Sequence, residues 1–118
     1  MATAPTIYHN PKCATSRKVL GLLRDAGANP RIVEYLKTPP TKAELGDLLA
    51  RMGMTARQLL RQRGTPFDEL GLGDPKKTDD ELLDAIVAHP ILMERPVVVT
   101  SKAAGLCRPA EKVMELLG

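Results

Sequence analysis

Cys13 is the residue best placed to do chemistry. It stands in the run His9-Asn10-Pro11-Lys12-Cys13-Ala14-Thr15-Ser16-Arg17, between a short β-rich stretch and a helical pattern. A helix start offers unpaired backbone N–H groups and the positive end of the helix dipole, and both stabilise an anion. Lys12 and Arg17 add positive charge beside it. These features lower a thiol pKa and leave the reactive thiolate. The same loop has a second use. The amides of residues 14–17, the hydroxyls of Thr15 and Ser16 and the guanidinium of Arg17 are of the right kind to wrap a tetrahedral oxyanion. A dithiol oxidoreductase carries Cys-x-x-Cys at such a position. This chain has Cys13-Ala14-Thr15-Ser16, and a serine forms no disulfide. An oxidised Cys13 therefore needs a thiol from another molecule. His9 either orients the loop and tunes the thiolate or simply caps the end of a strand. Cys107 reads as a structural thiol, with a second redox thiol as the alternative. Histidines and cysteines at 9, 13, 89 and 107 do not have the spacing of a zinc site, so no metal is expected.

The elements that must hold this loop are legible in outline. Thr6-Ile7-Tyr8 is a strand that Pro11 stops from continuing. A helix from Thr15 or Ser16 places Val19, Leu20, Leu22 and Leu23 on one face, and Gly27 stops it. Arg31 to Tyr35 reads as a second strand, so the first 35 residues form a βαβ unit with parallel strands. Thr41 with Glu44 and Thr78 with Glu81 are capping boxes. Thr55 is placed to cap a short helix between them, and His89 closes the helix that Thr78 opens. Residues 41–89 thus read as a helical insert with no strand. Pro96-Val97-Val98-Val99-Thr100 is the strongest strand in the chain. Ser101 to Gly105 reads as a turn, Leu106-Cys107 as a short returning strand, and Arg108-Pro109 as the opening of a last helix with Val113, Leu116 and Leu117 inward. The sum is an α/β, thioredoxin-like layout, β-α-β then β-β-α, with a helical insertion.

Composition narrows the classes further. The chain has 118 residues, 43% hydrophobic and 26% charged, which fits one globular domain spanning 1–118. No apolar run approaches a membrane span, and the start of the chain has no secretory pattern. A cytoplasmic location with no membrane partner is expected. A net charge of +3 is too mild to require nucleic acid, and three aromatic residues cannot build a base-stacking platform.

Three further arginines stand beside turn-forming residues: Arg61, Arg95 before Pro96, and Arg108 before Pro109. In a thioredoxin-like layout the loop before the third strand lies beside the first strand–helix loop. This predicts Arg95 and Pro96 near Cys13, with Pro96 a candidate for a cis peptide, and allows Arg108 to reach the same edge.

The pieces IYHNPKCATSR, EYLKTPPTKAEL, ARQLLRQRGTPFDELGL, HPILMERPVVVT and LCRPAEKVMELL, in this order over nearly the whole chain, resemble the glutaredoxin-dependent arsenate reductases, the ArsC family. The resemblance implies a thioredoxin-like fold with a helical insert and reduction of arsenate to arsenite, the basis of arsenical resistance. It implies Cys13 as nucleophile, Arg61, Arg95 and Arg108 as the arginines that bind arsenate, and Pro96 as the family's cis-proline. His9, Thr15, Ser16 and Arg17 match the surrounding loop. Glutathione is implied as co-substrate and glutaredoxin as partner, with no bound cofactor. The chain departs from the pattern in two places. Ala14 stands where glycine is common, and the sequence ends at Gly118, sooner than in the best-known resistance enzymes. Two other readings of the same loop stand beside this one. A monothiol oxidoreductase would act on another oxyanion or on a glutathione mixed disulfide. A redox regulator would bind RNA polymerase, although Ser16 in place of a second cysteine argues against that switch.

Overall fold

The computed structural model describes residues 4–117. In chain order the elements are β1 (Thr6–His9), α1 (Ala14–Asp25), β2 (Arg31–Glu34), α2 (Lys42–Met52), α3 (Ala56–Leu59), α4 (Asp79–Ala88), a 3-10 turn (Pro90–Leu92), β3 (Val97–Val99), β4 (Ala104–Leu106), a second 3-10 turn (Ala110–Lys112) and α5 (Val113–Leu117). Two compact units emerge. One gathers the chain up to Thr38 and from Arg95 onward, and the other is Pro39–Glu94.

The first unit is a four-stranded sheet in the order β2-β1-β3-β4. β1 and β2 run parallel, as the βαβ reading predicts, with Ile7 opposite Ile32. β1 and β3 are antiparallel, with Tyr8 opposite Val97, and β3 and β4 are antiparallel, with Val97 opposite Leu106. Strand alternation sends Ile7 and Val98 into a core shared with Val19 and Leu23 of α1, Cys107, Ala110 and Val113. Each fully buried aliphatic side chain there contributes about 1.5–3 kcal/mol through removal from water. α1 starts one residue earlier than its first polar caps suggest, with Cys13 as its N-cap residue. It ends where Gly27, at φ 83°, adopts the left-handed conformation that only glycine takes without cost, and the Gly27 N–H returns to the Arg24 carbonyl.

The returning strand differs from the sequence reading. It is Ala104–Leu106 rather than Leu106-Cys107, because these residues lie opposite Val99, Val98 and Val97. Pairing with the valine strand outweighs the low β-propensity of Ala104 and Gly105. A Cβ at Gly105 would sit 3.4 Å from a Leu116 methyl of α5, so β4 packs closely under that helix. Pro109 lies just outside the last helical stretch, as the N-cap of the second 3-10 turn, and not in its first turn.

The second unit is helical. All three expected caps form. Thr41 pairs with Glu44 and Thr78 with Glu81 in reciprocal capping boxes, and Thr55 forms a third with Gln58. α2 and α3 both pack on α4, and Leu45, Leu59, Leu82 and Ile86 are buried. Lys42 bridges Asp80 and Asp84 on the surface. The expected absence of strand does not hold entirely. Leu60 and Met93 form an isolated antiparallel bridge, in which the Arg61 N–H donates to the Leu92 carbonyl at 2.7 Å and the Glu94 N–H to the Leu59 carbonyl at 2.8 Å. Leu60 and Met93 are both buried, and their own N–H groups donate to the Arg57 and Pro90 carbonyls, so the bridge rests on bonds made by the residues beside them.

Candidate active site

The sheet register assembles the site. β1 ends at His9 and leads into the Cys13 loop. Because β3 runs antiparallel with Val97 opposite Tyr8, Arg95 and Pro96 arrive at that same end. Leu106 sits opposite Val97, and the Cys107 N–H donates to the Pro96 carbonyl at 2.9 Å, so β4 delivers Arg108 there too. The Arg95–Pro96 peptide is cis, and so is Arg108–Pro109, which the sequence reading did not include.

Cys13 is half-buried and free. Arg108 Nη1 lies 3.8 Å from its sulfur and donates to the Arg95 carbonyl at 3.0 Å. Burial works against ionisation of the thiol. The Ser16 N–H, the charge of Arg95, the Arg108 guanidinium and the Thr15 N–H together outweigh it and hold the Cys13 pKa below that of an ordinary cysteine. No side chain caps α1, so the first-turn amides are left for the sulfur. The other thiol behaves in the opposite way. Cys107 is buried in the core, and desolvation raises its pKa to about 11. Of the two thiols, Cys13 is the more readily ionised.

Ser16 is not an open oxyanion ligand through its side chain. It is 0% exposed. Its hydroxyl lies 2.6 Å from His9 Nδ1 and accepts the Asn10 N–H at 3.1 Å. The hydroxyl thus fastens the end of β1 to the first turn of α1, while the Ser16 amide serves the thiol. His9 is buried as well. Burial lowers its pKa, Arg24 and Arg17 push it further down, and Glu34 only opposes this. The balance favours the neutral imidazole. Arg17 is exposed and donates from Nη1 to the Pro11 carbonyl at 2.9 Å, bracing the loop. Thr15 is half-buried beside Ser16. Arg61 lies in the helical unit, at the Leu60–Met93 bridge. There its carbonyl accepts the Thr65 hydroxyl at 2.8 Å, and its amide is fixed to Leu92.

This end of the sheet can hold a small tetrahedral anion against a nucleophilic sulfur. It offers helix-start amides and two guanidinium groups, on Arg95 just before β3 and Arg108 just after β4. Residues 8–116 match the ArsC family. The chain belongs to the ArsC family. This ArsC-family chain is 56% identical over 112 residues to an arsenate reductase of Rhizobium meliloti (strain 1021), covering 95% of this chain and 80% of that protein. An arsenate reductase of Escherichia coli (strain K12) is 53% identical over 112 residues, covering 95% of this chain and 79% of that protein. The solved structure of an arsenate reductase from Vibrio cholerae superposes with a TM-score of 0.93 at 41% identity, over 98% of this chain and 99% of the other. The ArsC fold is thioredoxin-like, in agreement with the element order read from the sequence. Among the described residues, no group of three or more His, Cys, Asp and Glu side chains could hold a metal ion, and no helix is long and apolar enough to cross a membrane.

The thiol of this ArsC chain has a direct test. In the apo protein, the rate of Cys13 alkylation rises with pH as the thiol gives way to thiolate. The lowered pKa moves that rise toward lower pH. The expected midpoint lies below the ~8.5 of a free cysteine, and a midpoint at or above it contradicts the geometry. Cys107, buried and titrating near 11, does not contribute to the curve.

Proposed function

We propose that the chain reduces arsenate to arsenite through a covalent Cys13–arsenic intermediate. The observation that carries this reading is a depressed thiol at a helix start, beside Arg95 and Arg108, in a chain more than half identical to an arsenate reductase. Arsenate docks on the loop, with Arg61, Arg95 and Arg108 offsetting its charge. The Cys13 thiolate attacks arsenic. A sulfur–arsenic bond forms, an arsenic–oxygen bond breaks, and the oxygen leaves with two protons as water. Charge that builds on the remaining oxygens is stabilised by the guanidinium groups and by backbone amides of the loop.

Glutathione then replaces a second oxygen on arsenic, releasing another water. A glutaredoxin thiolate attacks the glutathione sulfur, and the electron pair of the sulfur–arsenic bond stays on arsenic, which passes from As(V) to As(III). The products are a glutaredoxin–glutathione mixed disulfide and a Cys13-bound arsenic that water releases as arsenite. The second sulfur has to come from outside because Ser16 stands where a resolving cysteine would be, and Cys107 is buried in the core. No cofactor is bound, the reaction takes place in the cytoplasm, and the chain works as a single domain, 1–118, with its helical insert at about 41–89.

The test is oxidation of NADPH coupled through glutathione reductase, glutathione and glutaredoxin. The expected result is turnover that needs arsenate and stops when glutaredoxin is left out. Turnover on glutathione mixed disulfides with none on arsenate overturns the proposal in favour of a general monothiol oxidoreductase. Stoichiometric capture of RNA polymerase with no arsenate activity overturns it in favour of a regulator.

A further inference from the structure

Asn10 is 8% exposed and makes a polar connection in each of three directions. Its side-chain Oδ1 accepts the Lys12 N–H at 3.0 Å. Its carbonyl accepts the Cys13 N–H at 3.0 Å, closing the turn from residue 10 to residue 13. Its own N–H donates to the buried Ser16 hydroxyl at 3.1 Å, the same hydroxyl that meets His9. Pro11 follows it, with φ restricted by its ring. One residue therefore joins the end of β1, the turn that presents Cys13 and the first turn of α1. Backbone alone would supply two of these bonds. The side-chain bond to Lys12 is the one that asparagine adds, and it is made at the residue immediately before the nucleophile.

We infer that Asn10 is a positioning residue that sets the direction of the Cys13 sulfur toward the first-turn amides of α1. Asparagine suits the task because its amide oxygen accepts a backbone N–H two residues on while adding no charge. Aspartate would make the same turn but would place a negative charge three residues from a sulfur that must ionise. A shorter acceptor, serine, preserves the turn chemistry at reduced reach.

The inference deepens the nucleophile reading of Cys13, and its test does not depend on arsenate. The pH dependence of iodoacetamide alkylation is followed in the full chain and in Asn10→Ala and Asn10→Ser. Without its acceptor, Asn10→Ala shifts the alkylation midpoint upward by about half a pH unit or more, since the thiolate loses well-aimed amides. Asn10→Ser returns most of that shift. Where arsenate turnover is measured, kcat of Asn10→Ala falls roughly tenfold or more with KM little changed, the pattern of a misaimed nucleophile. A folded Asn10→Ala with an unmoved midpoint overturns the inference. If Asn10→Ala does not fold, amide hydrogen exchange of the unaltered chain decides. Slow exchange at Lys12 and Cys13 supports the turn, and exchange at unprotected rates overturns it. Absence of arsenate turnover would count against the proposed reaction and leave the alkylation and exchange results to judge Asn10 on their own.

Discussion

Replacing Cys13 with serine lowers kcat/KM for arsenate by more than about a thousandfold, because the nucleophile of the proposed covalent mechanism is lost. A serine hydroxyl at a helix start remains protonated at neutral pH, whereas the thiol it replaces is held below its ordinary pKa by the Ser16 and Thr15 amides, Arg95 and Arg108. No sulfur–arsenic bond can form. The loss of activity comes without loss of the fold. Cys13 is the N-cap of α1 and makes no side-chain cap bond. Serine is a preferred N-cap residue, so Cys13→Ser should be as stable as the parent or more stable by up to about 1 kcal/mol. The measurement is the coupled assay together with thermal unfolding. Residual turnover above a tenth of the parent's would sink the mechanism.

The second large effect is at Arg108. Its guanidinium lies 3.8 Å from the Cys13 sulfur and 3.0 Å from the Arg95 carbonyl, so it serves both the thiolate and the segment that carries the next arginine. In the proposed mechanism Arg108→Ala removes a donor to developing oxyanion charge, a change that costs about 100–1,000-fold in kcat, or roughly 3–4 kcal/mol. The same change raises the Cys13 alkylation midpoint, because one of the groups that lower the thiol pKa is gone. Lysine keeps the charge but not the planar fork, so Arg108→Lys should fall between the two. An Arg108→Ala enzyme within a few-fold of the parent, with an unchanged midpoint, would remove Arg108 from the site.

What could be read in the sequence was mostly what is local. The capping boxes at Thr41 and Thr78 are decided within four residues, and both form as spaced. The parallel βαβ start follows from element order and the handedness of crossovers, and Cys13 at the strand–helix junction follows from the same order. The sequence was less informative wherever a partner lies far along the chain. By residue type the Ser16 hydroxyl suits an anion, yet it turns to His9 at the end of β1. The boundaries of β4 depended on which residues could lie opposite Val97–Val99. The Leu60–Met93 bridge, thirty-three positions apart, left no periodic signal. Arg57 is a further case. It donates to the carbonyls of Leu72 and Asp74 and so pins the turn-rich stretch before α4, a role that no local pattern announces. Asn10 carries a local signal of its own, since an asparagine before a proline marks a turn.

The β3–β4 hairpin gives the sheet unit a working end and an idle end. Arg95 and Arg108 flank the hairpin at its open side, whereas its closed side, from Thr100 to Ala103, is separated from them by all three residue pairs of the ladder. That turn has its own fastening, with the Thr100 hydroxyl accepting the Lys102 and Ala103 amides. A fluorophore or an affinity handle attached at exposed Lys102 would therefore ride on the same rigid hairpin as the two arginines while staying clear of the thiol. The geometry that builds the site thus also provides a place from which to watch it.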